Sequence, residues 1–185
     1  MSLPVPEFIR FGRETCGDLA QAERREWWLS SGRGAYAAGT IAGTLTRCYD
    51  GLLIAPVNPP LGHHLVFAKA EAVLVEEHRE WAFATNRWAS GAVAPQGYLH
   101  IESFRLEGRL PIWTYAVGNL GLEMSVWMEP GADTTYMAYR LQATTSEQST
   151  NERLRINTEE TDAPFNLITA STRRPPVLMR SLAIG

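Results

Sequence analysis

Arg47, Tyr49 and Asp50 fall within four residues of each other, directly before the apolar segment 51–55. An arginine offers a planar fork of donors and an aspartate accepts, so together they suit the vicinal hydroxyls of a sugar. Binding groups of this kind are often carried by a loop that a rigid sheet positions. The alternative is that Arg47 and Asp50 pair with each other and only fix the turn.

Tryptophan is the second residue type that could bind a ligand, and the chain contains six of them. An exposed indole stacks on the apolar C–H face of a pyranose ring, whereas the more common role of tryptophan is burial in the core. Trp127 falls on the polar face of its predicted strand, so it either packs against a second layer or is exposed for a ligand or domain. Trp113 is the tryptophan that we expect to contact sugar if one does.

His100 and Glu102 are two residues apart in a predicted strand and therefore share a face. They could form a polar patch beside a carbohydrate groove. The alternative is ordinary cross-strand pairing.

Hydrolysis of a glycosidic bond normally needs two carboxyl groups that flank the scissile bond. The candidate acids in the better-ordered part are Asp50, Glu71, Glu102, Glu123 and Glu129, and no spacing selects a pair among them. We therefore expect no catalytic residue in this chain.

The sequence also lacks the patterns of metal and cofactor sites. His63, His64 and His78 give no metal geometry, because a zinc site needs three or four convergent ligands. The run Gly32-x-Gly34-x-x-Ala37 fits a loose dinucleotide fingerprint, but no alternating strand and helix pattern surrounds it. We expect these glycines to allow tight turns in a β layer, and we expect neither a metal nor a cofactor.

Composition excludes several classes of partner. A net charge of -3 gives no basic field for nucleic acid and no polybasic patch for an anionic membrane. No apolar run approaches the roughly 18 residues of a membrane helix, and the first residues do not read as a secretory signal. Two cysteines, Cys16 and Cys48, make no disulfide framework. We expect a soluble, cytoplasmic protein with no nucleic-acid or membrane partner.

The elements that must position these residues are mainly strands. Residues 65–76 and 120–129 alternate apolar and polar side chains, which is typical of strands with one buried face. Pro130 and Gly131 supply turn chemistry before a β-branched and aromatic segment, 134–141, so the last two segments predict a hairpin.

Weaker strand candidates and one helix complete the prediction. Asp18 and Gln21 have the spacing of a capping box, which favours a short helix over 16–25. Many short strands with turns between them predict an all-β fold, an antiparallel β-sandwich with one short helix and a polar C-terminal tail. The weaker strand candidates are 7–11, 26–29, 49–57, 81–85, 98–106 and 112–117.

A series of short motifs resembles one family. Residues 31–40 read Ser-Gly-Arg-Gly-Ala-Tyr-Ala-Ala-Gly-Thr, and residues 46–53 read Thr-Arg-Cys-Tyr-Asp-Gly-Leu-Leu. The N-terminal domain of bacterial and archaeal glycogen debranching enzymes typically has Gly-Gly-Tyr-Ala-x-Gly-Thr and then Thr-Arg-Arg-Tyr-His-Gly-Leu-Leu. Cys48 and Asp50 therefore replace an arginine and a histidine of that pattern. Further matches follow in the same order: Pro59-Pro60, Phe67-Ala68-Lys69, Gly97-Tyr98, Glu102-Ser103-Phe104, Pro111-Ile112-Trp113-Thr114-Tyr115, Met128-Glu129-Pro130-Gly131 and Thr134-Thr135-Tyr136.

The resemblance implies a supersandwich-like β-sandwich, similar to the one that precedes the helical barrel in glucoamylase-like enzymes. In the full-length family it implies amylo-α-1,6-glucosidase activity, a glycoside hydrolase reaction of glycogen catabolism, with the catalytic carboxylates in the helical domain. For this chain it implies a non-catalytic N-terminal domain that associates with α-glucan or supports a catalytic partner. The expected partners are an α-glucan or oligosaccharide, and a helical-barrel domain or a second copy of the chain.

The end of the chain has a different composition. Residues 143–163 are rich in Thr, Ser, Glu, Asn and Gln and have little to bury. We expect a sandwich domain over 1–142, and a polar, mobile tail without family resemblance over 143–185, which leaves the sandwich incomplete if the tail replaces strands. The alternative function is a truncated remnant or a protein-interaction module with no sugar site of its own.

Overall fold

Antiparallel strands make up most of the molecule, as the period-two alternation of the sequence predicts. The computed structural model describes residues 7–56, 62–76, 79–143, 152–160 and 177–180. None of the helices in these segments has the length and the apolar character needed to cross a bilayer.

Fourteen strands and three short helical segments are present in the described residues. In chain order they are β1 (Glu7–Gly12), α1 (Arg13–Cys16), α2 (Leu19–Ala22), β2 (Glu26–Ser30), β3 (Tyr36–Thr40), β4 (Gly51–Pro56), β5 (His63–Glu76), β6 (Arg79–Ala82), β7 (Thr85–Arg87), β8 (Val93–Gln96), a 3-10 helix (Gly97–His100), β9 (Ile101–Glu107), β10 (Leu110–Val117), β11 (Leu120–Met128), β12 (Thr135–Ala143), β13 (Glu152–Glu160) and β14 (Val177–Arg180).

The strands form two large sheets. The first sheet has the order β1-β9-β10-β11-β12-β14, and the second has the order β13-β5-β4-β3-β2, with β6 pairing beside β5. Strands β7 and β8 form a separate pair. The pairings are antiparallel. The predicted antiparallel β-sandwich is confirmed.

The hairpin predicted from 120–141 is confirmed in detail. β11 and β12 pair over their whole length, with Val126 opposite Met137 and Trp127 opposite Tyr136. Val126 and Met137 are buried, whereas Trp127 and Tyr136 stack on the other side of the sheet with ring centroids 5.3 Å apart. Trp127 therefore lies on the outer face, half-covered by a tyrosine of its own hairpin.

Aromatic side chains pack in the core between the sheets. Trp113 of β10 is only 2% exposed, and its ring meets Trp27 of β2 edge to face, with centroids 5.6 Å apart. Its indole nitrogen donates to the carbonyl oxygen of Ile41 at 2.9 Å. The Thr135 hydroxyl of β12 donates to the carbonyl oxygen of Leu52 in β4 at 2.6 Å. These contacts join the two sheets across the core.

The predicted helix over 16–25 is replaced by two single turns, α1 and α2. Asp18 has an extended backbone between them and caps α2, because its side chain accepts from the Gln21 backbone nitrogen at 3.1 Å. The Gln21 side chain donates to the same carboxylate at 2.9 Å. The capping residues were thus predicted correctly, and the extended Asp18 explains why one helix becomes two.

Two strands lie within residues 143–185, which the sequence composition predicts to be a polar tail. β13 pairs with β5 in the second sheet, and β14 pairs with β12 in the first. Residues 144–151, 161–176 and 181–185 of that stretch lie outside the described residues. Backbone pairing therefore extends the sandwich beyond residue 142, where composition alone gave no sign of strands.

Candidate functional site

The loop between β3 and β4 carries Arg47, Tyr49 and Asp50, and Asp50 holds it together. Asp50 is 2% exposed, and its Oδ2 accepts from the backbone nitrogens of Thr46 at 2.6 Å and Arg47 at 2.8 Å. Its own backbone nitrogen donates to the Arg47 carbonyl oxygen at 3.1 Å. The predicted segment 49–57 therefore becomes a strand only at Gly51, because Asp50 closes a turn before it.

The guanidinium of Arg47 forms its ion pair with a residue of β2. The side chain pairs with Glu26 of β2, with 2.9 Å between Nε and Oε1, and both side chains are partly exposed. The hydrogen bond to Glu26 raises the pKa of Arg47 above its ordinary value. An exposed pair of this kind adds little stability, but it holds a donor fork and a carboxylate at the edge of the sheet. Asp50 therefore contacts Arg47 through the Arg47 backbone nitrogen, whereas the guanidinium of Arg47 pairs with Glu26.

An aromatic surface lies next to this pair on the outer face of the second sheet. Trp28 is 56% exposed and stacks on Tyr36, with centroids 4.3 Å apart and an angle of 14° between the planes. Tyr49 lies 6.3 Å from Trp28 at an angle of 54°. We call Trp28, Tyr36 and Tyr49 the aromatic platform.

Strand register explains the platform. Trp28 lies opposite Ala38 in β3, and Tyr36 is two residues from Ala38, so both rings project from the same side of the sheet. Ala38 is small and buried, which leaves room for the two rings to meet above the strand. The platform is therefore fixed by backbone pairing and not by a mobile loop alone.

His63 and Leu65 border the platform on the β5 side. The His63 ring lies 5.5 Å from Tyr36, and its Nε2 donates to the Gly34 carbonyl oxygen at 2.9 Å. Leu65 is exposed, and its side chain lies over Gly51, so a Cβ at that position would push it aside. Burial and the nearby loop groups raise the pKa of Tyr36, so its hydroxyl stays protonated at neutral pH.

The Asp50 clamp leads to the first prediction. Asp50→Ala removes the acceptor of two backbone N–H groups and should lower the free energy of unfolding by about 1–3 kcal/mol. Asp50→Asn is the matched control, because its amide oxygen can accept from both nitrogens. Urea unfolding of both variants measures the difference. Equal stability of the alanine and asparagine variants would show that the clamp is unimportant.

The other sequence-predicted site residues lie away from the platform. The buried Trp113 meets Trp27 on one side and Phe104 at 5.0 Å on another, so it presents no ring face to solvent. Glu102 forms an ion pair with Arg13 of α1. His100 ends the 3-10 helix beside Phe83, and burial, aided by Arg13, lowers the pKa of its imidazole. No contact among the described residues joins these three side chains to Arg47, Tyr49 or Asp50.

The candidate acids all have hydrogen-bonding or ionic partners. Among the described residues, no group of three or more His, Cys, Asp and Glu side chains is arranged to hold a metal ion. The acids are engaged as follows: Asp50 with the amides of Thr46 and Arg47, Glu71 with Asn86, Glu102 with Arg13, Glu123 with Arg105, and Glu129 with the Tyr136 hydroxyl.

Sequence reasoning missed Trp28 and Tyr36, although a signal for Trp28 was present. In β2 the buried residues Trp27 and Leu29 alternate with Glu26, Trp28 and Ser30. The polar neighbours at two-residue spacing place Trp28 on the solvent face. Tyr36 gave no such signal, because β3 is made of small residues that are buried on both faces.

Comparison with known proteins gives one family. The family model described as "Glycogen debranching enzyme N terminal" matches residues 25–172, about four fifths of the chain. Neither the search of curated proteins nor the search of solved structures gives a match. The matched range contains the whole platform, the β3–β4 loop and β13.

Proposed function

The chain belongs to the glycogen debranching enzyme N-terminal domain family, and on this premise we propose that it associates with α-glucan through the aromatic platform. The role is non-catalytic. The observation that carries the proposal is the exposed Trp28 ring, stacked on Tyr36 and flanked by the Arg47–Glu26 pair.

The chemistry of the platform suits a glucan chain. Flat aromatic rings cover the C–H faces of pyranose rings, while the polar tips of tyrosine remain available to hydroxyls. Trp28 and Tyr36 are stacked nearly parallel, so the exposed part of Trp28 is the surface left for a pyranose ring, and the inclination of Tyr49 suits a chain that curves, as α-1,4-linked glucose does. The Arg47 fork and the Glu26 carboxylate supply donors and acceptors for vicinal hydroxyls.

The partner of this domain is part of the same proposal. The five candidate acids have structural partners, which favours a supporting role beside a helical-barrel amylo-α-1,6-glucosidase domain. Cys16 and Cys48 are free thiols, which suits a reducing compartment such as the cytoplasm.

A second candidate function is protein interaction with no sugar site. Exposed aromatic clusters are also common at protein interfaces, where tyrosine and tryptophan are enriched. In that case a helical-barrel domain or a second copy of the chain would cover Trp28 and Tyr36, and a free oligosaccharide would not bind.

Calorimetric titration of the chain with maltoheptaose and with a branched limit dextrin separates the two functions, with tryptophan emission followed in parallel. We expect saturable heat and a change in emission, because a sugar stacked on Trp28 changes the solvent contact of its indole. Absence of both signals at millimolar ligand would contradict the glucan proposal and favour the interface.

A further inference from the structure

We propose that the space between the two sheets is a second binding site, for a small neutral molecule with an apolar body and one hydrogen-bond acceptor. This site is separate from the aromatic platform and does not depend on the α-glucan proposal.

The site is a cavity of about 70 Å³ in the core of the sandwich. Its walls include the rings of Trp27, Trp113 and Tyr115 and the side chains of Met124, Val126 and Met137. A space of this size has room for several water molecules, yet a water needs two to four polar partners to be held. The mainly apolar lining favours a small organic molecule instead.

The hydroxyl of Tyr139 is the hydrogen-bond donor that a ligand in the cavity would satisfy. Tyr139 lines the cavity, is 2% exposed, and its hydroxyl has no hydrogen-bond partner among the described residues. Burial raises the pKa of Tyr139 far above its ordinary value, so the hydroxyl remains a donor at any physiological pH. A buried donor without an acceptor is destabilising, and a bound carbonyl or ether oxygen would satisfy it.

Two other polar side chains of the lining, Thr40 and Lys69, are already engaged. The Thr40 hydroxyl donates to the Thr44 carbonyl oxygen at 2.9 Å, and the Lys69 ammonium donates to the Thr85 carbonyl oxygen at 2.6 Å and to Asn86. Among the described residues, Tyr139 is a lining residue whose buried hydroxyl lacks a partner and can recognise a ligand.

The loop after β3 forms one wall of the cavity. Gly43, Thr44 and Leu45 contribute to the lining, and Leu45 is also exposed to solvent. Gly43 has a positive φ of 80°, which turns the chain at this point. A ligand would therefore enter past Leu45 and reach Tyr139 between the sheets.

Methionine methyl groups report on this cavity. With ¹³C-methyl methionine in the whole chain, NMR titration with acetone and with isobutene should shift the Met124 and Met137 signals. The Met128 signal should stay in place, because Met128 is buried but does not line the cavity. The two probes have nearly the same shape, and acetone alone carries an acceptor.

Tyr139→Phe tests the recognition. We expect it to weaken acetone binding about threefold to tenfold, the loss of one hydrogen bond, and to leave isobutene binding unchanged or tighter. Val126→Leu is a second variant that fills part of the cavity and should weaken both probes. The proposal is overturned if neither methyl signal moves with millimolar probe, or if Tyr139→Phe affects acetone and isobutene equally.

Discussion

Trp28→Ala should weaken the binding of maltoheptaose by about thirtyfold or more, the effect expected of a central aromatic contact. The ring is the most exposed part of the platform and stacks on Tyr36, so its removal leaves the sugar without its largest apolar surface. Stability should fall by about 0.5–1.5 kcal/mol, because the variant loses the stack on Tyr36 while the rest of the side chain projects into solvent. Calorimetric titration of the variant measures the loss.

Trp88→Ala is the matched control for this result. Trp88 is 55% exposed, like Trp28, but it lies after β7 and donates its indole N–H to the Ala94 carbonyl oxygen at 2.8 Å. Its removal should leave the affinity for maltoheptaose unchanged. Equal losses in the two variants would mean that binding is not located at the platform.

Trp113→Ala should lower the free energy of unfolding by about 3–5 kcal/mol, the range for deletion of a buried tryptophan. The ring is almost fully buried between the sheets and contacts both Trp27 and Phe104. The variant also leaves the Ile41 carbonyl oxygen without its donor. A chain of this size should then melt about 6–20 °C lower, measured by circular dichroism.

Trp113→Phe separates packing from the hydrogen bond. It keeps an aromatic ring in the core but cannot donate to Ile41, so we expect a smaller loss of about 1–3 kcal/mol. A loss below about 1 kcal/mol for Trp113→Ala would contradict the assignment of this residue to the core.

Much of the fold was predictable where strands bury one face only. The segments 65–76 and 120–141 show clear alternation, and they became β5 and the β11–β12 hairpin. β13 was not predictable, since its sequence is mainly polar and it gains its place by backbone pairing with β5. The requirement for glycine at position 97 was not predictable either. A Cβ there would overlap the backbone of Phe83, which only the folded chain brings close.

Part of the candidate site can be identified from the sequence. The β3–β4 loop was identified from the types and spacing of its residues, and Arg47 and Tyr49 do lie beside exposed aromatic rings. Trp113 was the expected sugar contact because it lies in a family motif. Alternation could not show whether its ring faces the core or the solvent, because β10 is buried on both faces near it. Alternation in β2 places Trp28 on the solvent face, but its stack on Tyr36 becomes visible only when β2 and β3 are paired.

The most direct test of the platform is the response of the tryptophan indole N–H signals to limit dextrin, followed by ¹⁵N-edited NMR. Six signals are expected, one for each tryptophan. The proposal predicts that the Trp28 signal shifts and saturates with ligand while the Trp113 signal stays in place. A fixed Trp28 signal at saturating dextrin would contradict it.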